Sequence, residues 1–298
     1  MTRTPVHLEG MGWLGSALAY TLHRQGTPFT WHDTGRTINA WSASTGAVYP
    51  AGDERSQAGL TAWQHWHHTR LLPAGTTAEC AYIYRQKSPP HSGPYTGRPL
   101  PGGLHIAPVS AYTADVPAIV HAAREQFAHC RLDAPPARAP VVVAHGFNHR
   151  RTTHMWGWSA PVRLHLPTAW EEAAAGRRII LYGREHRFHI VYAYPIPTRP
   201  GWWWAGSALV HQTTPRQVAT AGYLERWTQA APKLYPGIKV LEVEPPVHGW
   251  RPRPAAGDPQ HLQTSPRRAV MPPLWHSGVR WAPPLIHQAA QWAKDRTP

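Results

Sequence analysis

The chain has 298 residues, 42% of them apolar, and a formal net charge of +14, enough chain for one large domain or two interleaved ones. No apolar run reaches the length of a membrane-spanning helix, and two cysteines, Cys80 and Cys130, are too few for a disulfide framework and point to a reducing compartment. Thirty Lys and Arg, most of them Arg, against 16 Asp and Glu favour a polyanionic partner, nucleic acid before anionic lipid, or else reflect an Arg-rich composition.

The chain opens Met1-Thr2-Arg3-Thr4-Pro5 and passes straight into an extended run, Val6-His7-Leu8-Glu9, which leaves no room for a signal peptide, so the expected location is the cytoplasm. Gly10-Met11-Gly12-Trp13-Leu14-Gly15 follows, opening a helix-like run, Ser16 to His23. A second extended run, Pro28-Phe29-Thr30-Trp31-His32, ends at Asp33. Strand, G-x-G-x-x-G, helix, strand, acid is the dinucleotide-binding fingerprint in its required context. The glycines permit a tight turn, close approach of backbone to a pyrophosphate and helix-to-strand packing, and the helix mouth supplies unpaired N–H groups. Asp33 stands where a carboxylate can hold ribose hydroxyls.

Residues 56–70 have a helical pattern and carry Trp63, His65, Trp66, His67 and His68. These histidines lack a matching Cys or carboxylate pair at zinc spacing, so no metal site is expected. Residues 86–103 are rich in Pro and Gly and read as irregular. A helix is expected at about Val116–Ala128, then a buried strand, Pro140-Val141-Val142-Val143-Ala144-His145-Gly146, ending in a glycine turn. Residues 160–210 look strand-rich, at Pro161–Leu166, Arg178–Tyr182, His186–Tyr194 and Trp202–Leu209. A helix at about Pro215–Leu234, a strand at Lys239–Val243, the run Ala269-Val270-Met271 and a last helix, Leu285–Ala293, close the chain. Trp202-Trp203-Trp204 is either a stacking platform for bases or core, with Trp203 facing away from its two neighbours.

This order predicts an α/β chain: a Rossmann-like nucleotide-binding domain (residues 1–55, 110–155 and 245–298), which the resemblance below makes FAD-binding, interleaved with an antiparallel-sheet substrate domain (56–109 and 156–244). The assignment to FAD rests on further stretches. Ala43-Ser44-Thr45-Gly46-Ala47 is a small-residue loop, Val141 to Gly146 ends in A-x-G, Gly249-Trp250-Arg251-Pro252 reads G-x-R-P, and Gly278-Val279-Arg280-Trp281-Ala282-Pro283 reads G-x-x-x-A-P. In this order the chain resembles the D-amino acid oxidase and glycine oxidase superfamily of FAD-dependent oxidoreductases, along nearly its whole length. Gly257-Asp258-Pro259 is an altered form of the family's next small-residue turn, and Ser277 precedes Gly278 where glycine oxidase-like members often have Arg-Asn-Gly or Arg-Gly.

The resemblance implies non-covalent FAD, since neither cysteine sits where a covalent flavin attaches. It places FAD contacts at Gly10, Gly12, Trp13, Leu14, Gly15, Asp33, Ser44, Thr45, Gly46, Ala144, Gly146, Gly278, Val279 and Arg280. It makes Arg251 the anchor of a substrate carboxylate, a role that suits a bidentate guanidinium. Tyr192 and Tyr194 either flank the substrate or pack as alternating aromatics of a strand.

Flavin amine oxidation needs no obligatory side-chain base, which agrees with the absence of an evident nucleophile–base pair. Similar enzymes trim a carboxymethylaminomethyl group on tRNA wobble uridine, or a glycine joined to the methyl carbon of thymine in phage DNA. Combined with the +14 charge, the expected substrate is an N-glycyl pyrimidine in nucleic acid, DNA before tRNA, with molecular oxygen as electron acceptor. A phage enzyme of this kind would act in a bacterial host cytoplasm. The alternatives are a small-molecule glycine, D-amino acid or amine oxidase, a flavin-holding nucleic-acid-binding protein without turnover, and a nicotinamide dehydrogenase, which the later motifs disfavour.

Overall fold

A computed structural model describes residues 4–33, 47–48, 54–72, 76–77, 80–85, 97–109, 111–144, 153–186, 189–206, 220–253, 261–272, 274 and 278–297. The first half contains β1 (Val6–Glu9), α1 (Trp13–Arg24), β2 (Phe29–His32), β3 (Ala47–Val48), α2 (Glu54–His68), β4 (Thr76–Thr77), β5 (Cys80–Arg85), β6 (Arg98–Leu100), β7 (Leu104–Val109), β8 (Tyr112–Ala114), α3 (Val116–Gln126) and β9 (Val141–Val143). The second half contains β10 (Thr153–His165), α4 (Thr168–Ala174), β11 (Arg178–His186), β12 (His189–Pro195), β13 (Trp202–Gly206), α5 (Thr220–Leu234), β14 (Lys239–Val243), β15 (Val247–Arg253), β16 (Gln263–Thr264), β17 (Arg268–Val270) and α6 (Gly278–Lys294).

A five-stranded sheet runs β16-β17-β9-β1-β2, with β1 parallel to both β2 and β9. Leu8 sits opposite Trp31 on one side and Val142 on the other. Val6 and Leu8 point to the helices, and Leu18, Leu22, Trp63, Ile119, Phe127 and Ile286 from α1, α2, α3, α6 and the turn after α3 complete one apolar core. The helices end where local chemistry changes. Gly12 begins α1 without a side-chain cap, and Asp115 caps α3 by accepting the Ala118 N–H.

A larger sheet runs β14-β10-β13-β12-β11-β5-β7-β6, with β15 also paired to β10. One face carries Trp158, Leu181, Ala193 and Trp203 and packs with Trp170 of α4, Trp227 of α5 and Tyr235 just beyond it. The opposite face carries Tyr82, Tyr84, Tyr182, Tyr192 and Tyr194. β3, β8 and β4 form a small third sheet.

The α/β class and the mixed sheets follow the sequence reading. Two stretches sit elsewhere than the expected ranges place them. Residues 54–72 pack in the first core because Trp63 and Trp66, three apart on one helix face, meet Trp13. β15 extends the large sheet along β10, from Thr153 opposite Arg253 to Ser159 opposite Val247. Two strands, β5 and β7, were not foreseen, and β6 falls inside the stretch read as irregular. Among the described residues, no helix is long and apolar enough to cross a membrane.

Candidate functional site

Gly10, Gly12, Trp13, Leu14, Gly15, Asp33 and Ala144 lie at the carboxyl ends of β1, β2 and β9, where an open α/β sheet receives ligands. Gly10 has φ +98° and donates its N–H to the His32 carbonyl at 2.9 Å. A β-carbon on Gly15 would stand 1.9 Å from the Gly10 carbonyl oxygen, so both positions require glycine for this turn. Ser16 N–H closes the first helical bond to the Gly12 carbonyl at 2.8 Å. Gly12 offers no side-chain cap and the first turn of α1 holds no acid, so nothing on the helix itself occupies the N–H groups of Trp13, Leu14 and Gly15. Trp13 stacks on Trp63 at 5.8 Å, and its buried Nε1 has no hydrogen-bond partner among the described residues. Ala144 closes the loop, its N–H on the Glu9 carbonyl at 2.9 Å.

Asp33 has a partner the sequence did not reveal. Arg124 of α3 donates through Nη2 to its carboxylate and through Nε to the Met11 carbonyl at 3.1 Å. One guanidinium thereby ties the end of β2 to the glycine turn. A carboxylate has about four acceptor positions, so this bond is compatible with ribose hydroxyls on the same group. Ser44, Thr45, Gly46 and Gly146 lie outside the described residues. Gly278, Val279 and Arg280 form the first turn of α6.

The second group lies on the tyrosine face of the large sheet. Tyr192 pairs with Gly206 and with Tyr182, and Tyr194 pairs with Trp204. The Tyr192 and Tyr194 rings lie 5.0 Å apart. A β-carbon on Gly206 would be 2.2 Å from the Tyr192 hydroxyl oxygen, so the ring needs glycine on the neighbouring strand. Gly206 in turn pairs with Ser159, and Ser159 with Val247. Counting by twos along β15 places position 251, opposite Met155, on this same face. Ser159 Oγ and Trp204 Nε1 are buried there without a hydrogen-bond partner among the described residues. Tyr82, Tyr182 and Ser159 were missed from sequence. The alternation Tyr82-Ile83-Tyr84 matches Tyr192-Ala193-Tyr194 and was the available signal.

Trp203 and Trp204 are both buried, on opposite faces, so the triple tryptophan offers no exposed platform there. Trp202 is half-exposed, with the Arg199 guanidinium 3.9 Å over its ring. Arg199 also grips Glu244 through two bonds, at 2.9 and 2.5 Å. These bonds hold the Glu244 carboxyl below the usual carboxylate range. His65 and His68 are exposed, and His67 packs on Tyr112 at 5.6 Å.

On the face of the five-stranded sheet away from the helices, His7 Nδ1 meets Thr30 Oγ1 at 2.8 Å and Nε2 meets His32 Nδ1 at 2.7 Å. Burial, then the adjacent His32, lowers the His7 imidazole to about 4.

Among solved structures, iminodiacetate oxidase from Chelativorans sp. BNC1 matches with a TM-score of 0.69 at 15% identity, over 97% of this chain and 95% of that one. Glycine oxidase from Geobacillus kaustophilus matches with a TM-score of 0.69 at 15% identity, over 100% and 96%. The chain has the glycine oxidase fold. A FAD dependent oxidoreductase from Pseudomonas aeruginosa shares it too, with a TM-score of 0.61 at 15% identity over 99% and 92%. No protein-family model and no curated protein matches the chain.

Proposed function

We propose that the chain is a FAD-dependent amine oxidase acting on the glycine unit of an N-glycyl pyrimidine in nucleic acid, DNA before tRNA. The observation that carries the oxidase reading is the shared sheet face of position 251 with Tyr192 and Tyr194, in a fold whose other sheet ends in a glycine turn fitted to a dinucleotide.

The fit to FAD rests on the uncapped mouth of α1, on the turn that a Gly15 side chain would fill, and on Asp33 at the end of β2. The N–H groups of Trp13, Leu14 and Gly15 would hold the diphosphate and Asp33 the ribose, with Ala144 and the first turn of α6 as further contacts. The cofactor unit would take in α2, and the substrate unit β15. Bound FAD supplies the two-electron acceptor. Arg251 would hold the glycine carboxylate by two parallel bonds, and Tyr192 and Tyr194 would flank the carbon to be oxidised. The substrate amine, once neutral, loses a hydride from its CH2 and a proton from nitrogen. Water adds to the resulting substrate imine, leaving glyoxylate and an aminomethyl base, and the two electrons pass to oxygen as hydrogen peroxide.

The nucleic-acid part of the reading is supported by the net charge of +14, which a free amino acid does not require. The base would leave its stack to reach the site. Iminodiacetate carries the same carboxymethyl unit on a secondary amine, so the likeness to iminodiacetate oxidase is compatible with an N-glycyl base. It equally favours a second reading, oxidation of a small free amine.

The test compares anaerobic bleaching of the visible flavin spectrum by glycine, sarcosine, D-amino acids, iminodiacetate, glycyl-modified nucleoside and glycyl-modified oligonucleotide. The polymer reading expects the oligonucleotide to bleach fastest and to release glyoxylate. Rapid bleaching by a free amine with no response to modified nucleic acid establishes the second reading instead. A colourless protein that binds only a nicotinamide dinucleotide overturns both.

A further inference from the structure

The turn that joins β12 to β13 is bonded to the start of α3, a contact with no part in the oxidase reading so far. The turn is stiff. Pro197 and Pro200 fix two of its backbone angles, and Gly201 takes φ +78°. Ile196 N–H bonds the Trp202 carbonyl at 2.9 Å, Arg199 N–H the Ile196 carbonyl at 3.1 Å and Trp202 N–H the Arg199 carbonyl at 3.1 Å. The Arg199 guanidinium lies over Trp202 and grips Glu244, which fastens the turn to the end of β14. A rigid loop thus presents Thr198, four residues past Tyr194.

Asp115 receives it. This residue is 5% exposed, and its carboxylate oxygens serve two partners. One accepts the Ala118 N–H at 3.2 Å and caps α3, and the other accepts the Thr198 hydroxyl. A buried carboxylate depends on such donors, so the bond fastens the turn to the helix. From there α3 is held as one piece, with Val116, Ile119, Val120 and Ala123 in the first core. Arg124 stands nine residues beyond Asp115, about 14 Å along the axis at 1.5 Å per residue. It is the residue that bonds the Met11 carbonyl and Asp33. One helix therefore grips the hairpin of Tyr192 and Tyr194 at its cap and the dinucleotide turn at its last turn.

We infer that Asp115 and Thr198 are positioning residues for the oxidation: through their bond, α3 sets where Tyr192 and Tyr194 stand relative to the flavin. The inference rests on the oxidase reading and holds for a free amine or a modified base alike. Neither residue touches the substrate, and the pair acts through distance. A misplacement of about 1 Å at the reacting atoms can cost on the order of 100-fold in rate. Loosening the turn should therefore slow the transfer of electrons to flavin while the dinucleotide turn, held by its own glycines and Arg124, keeps its cofactor.

The experiment uses the full chain with its flavin bound. Thr198→Val removes the hydroxyl at an exposed position, so the variant should fold. Asp115→Ser keeps a helix cap but is too short to reach Thr198. Thr198→Ser keeps the bond. Anaerobic flavin reduction is followed with iminodiacetate, sarcosine and glycyl-modified nucleoside, and backbone amide exchange is measured across residues 192–206. In Thr198→Val and Asp115→Ser the turn should exchange faster, and reduction at saturating amine should slow roughly tenfold, with flavin occupancy unchanged. Thr198→Ser should restore both. Faster exchange with an unaltered limiting rate makes the bond a structural clasp and overturns the inference. So does unaltered exchange, or a slowed rate matched by lost flavin. A wild-type flavin that no amine reduces defeats the oxidase reading and this inference together, whereas equal rates in a wild type that is reduced defeat this inference alone.

Discussion

The phenol of Tyr192 occupies the space in which a side chain at Gly206 would stand: a β-carbon there would lie 2.2 Å from the hydroxyl oxygen and 2.4 Å from Cζ. Tyr192 and Gly206 are directly paired across β12 and β13, so the ring lies over its neighbour strand instead of rising from the sheet. Tyr194 meets it at 5.0 Å and Tyr182 pairs with it on the other side. One missing methyl group thus sets the shape of the face that also carries position 251.

Gly206→Ala should therefore displace Tyr192. The far end of a tyrosine can rotate away, so the fold should survive, with an overpacking cost of roughly 1–3 kcal/mol in denaturant unfolding. If Tyr192 flanks the substrate, KM should rise while flavin occupancy, read from the visible-to-ultraviolet absorbance ratio, stays unchanged. Unaltered kinetics would remove Tyr192 from the site.

Gly15→Ala differs because the obstacle is backbone. The new β-carbon would be 1.9 Å from the Gly10 carbonyl oxygen, which cannot swing aside without reshaping the turn. The expected result is a protein purified largely without flavin. Gly12 replaced by a bulky residue should give the same loss, since a side chain there would enter the diphosphate's place. Full yellow occupancy in either variant would move the dinucleotide elsewhere.

How much of this could be read from sequence follows the distance over which each feature is built. The glycine turn is local: β1, Gly10 to Gly15, α1 and Asp33 span under thirty residues, and the spacing itself carries the physics. The tyrosine face is not local. Tyr82 belongs to it because β5 lies parallel to β11, Cys80 opposite Arg178, nearly a hundred residues on. No short window reports such pairing. The requirement for glycine at 206 is likewise set by a side chain on another strand. Arg124 was illegible for the same reason: nothing near residue 124 announces a bond to Asp33 and Met11. The helix at 54–68 was found by its period, but its partner was not, because its tryptophans suit either sheet equally well until Trp13 is seen against them.

Arg251→Lys tests the carboxylate anchor. An ammonium carries the charge but not the two-pronged geometry. If position 251 holds a desolvated carboxylate, removing the pair with Arg251→Ala should cost about 2–5 kcal/mol in kcat/KM, and the lysine variant should recover only part of it. Flavin content should be equal in all three proteins. Unchanged kinetics in the alanine variant would transfer the role, with Arg280 in the first turn of α6 as the next candidate.

The buried His7–His32 contact makes acid stability a reporter of the sheet beneath the cofactor end. His7 is fully buried, its two ring nitrogens bonded to Thr30 and His32, and its imidazole is lowered to about 4. Glu9 raises it and itself pairs with Arg268 at 3.2 Å, so among the described residues the titratable and charged groups facing His7 include Glu9, His32 and Arg268. The unfolded chain takes up a proton on this residue near pH 6.5, whereas the folded chain does not until about pH 4. Between those values the unfolded state binds more protons, so stability must fall as the pH falls. The slope for one group approaches about 1.4 kcal/mol per pH unit, with a total of up to about 3 kcal/mol across the window. Above pH 7 the contribution is flat. His32 ends β2 immediately before Asp33, so the same acid window should also loosen the bound dinucleotide. Denaturant unfolding of wild type and His7→Asn between pH 4 and 8, with flavin fluorescence followed in parallel, checks this. The variant should lose most of the slope in that window. An equally steep fall in both proteins would assign the acid sensitivity to other groups.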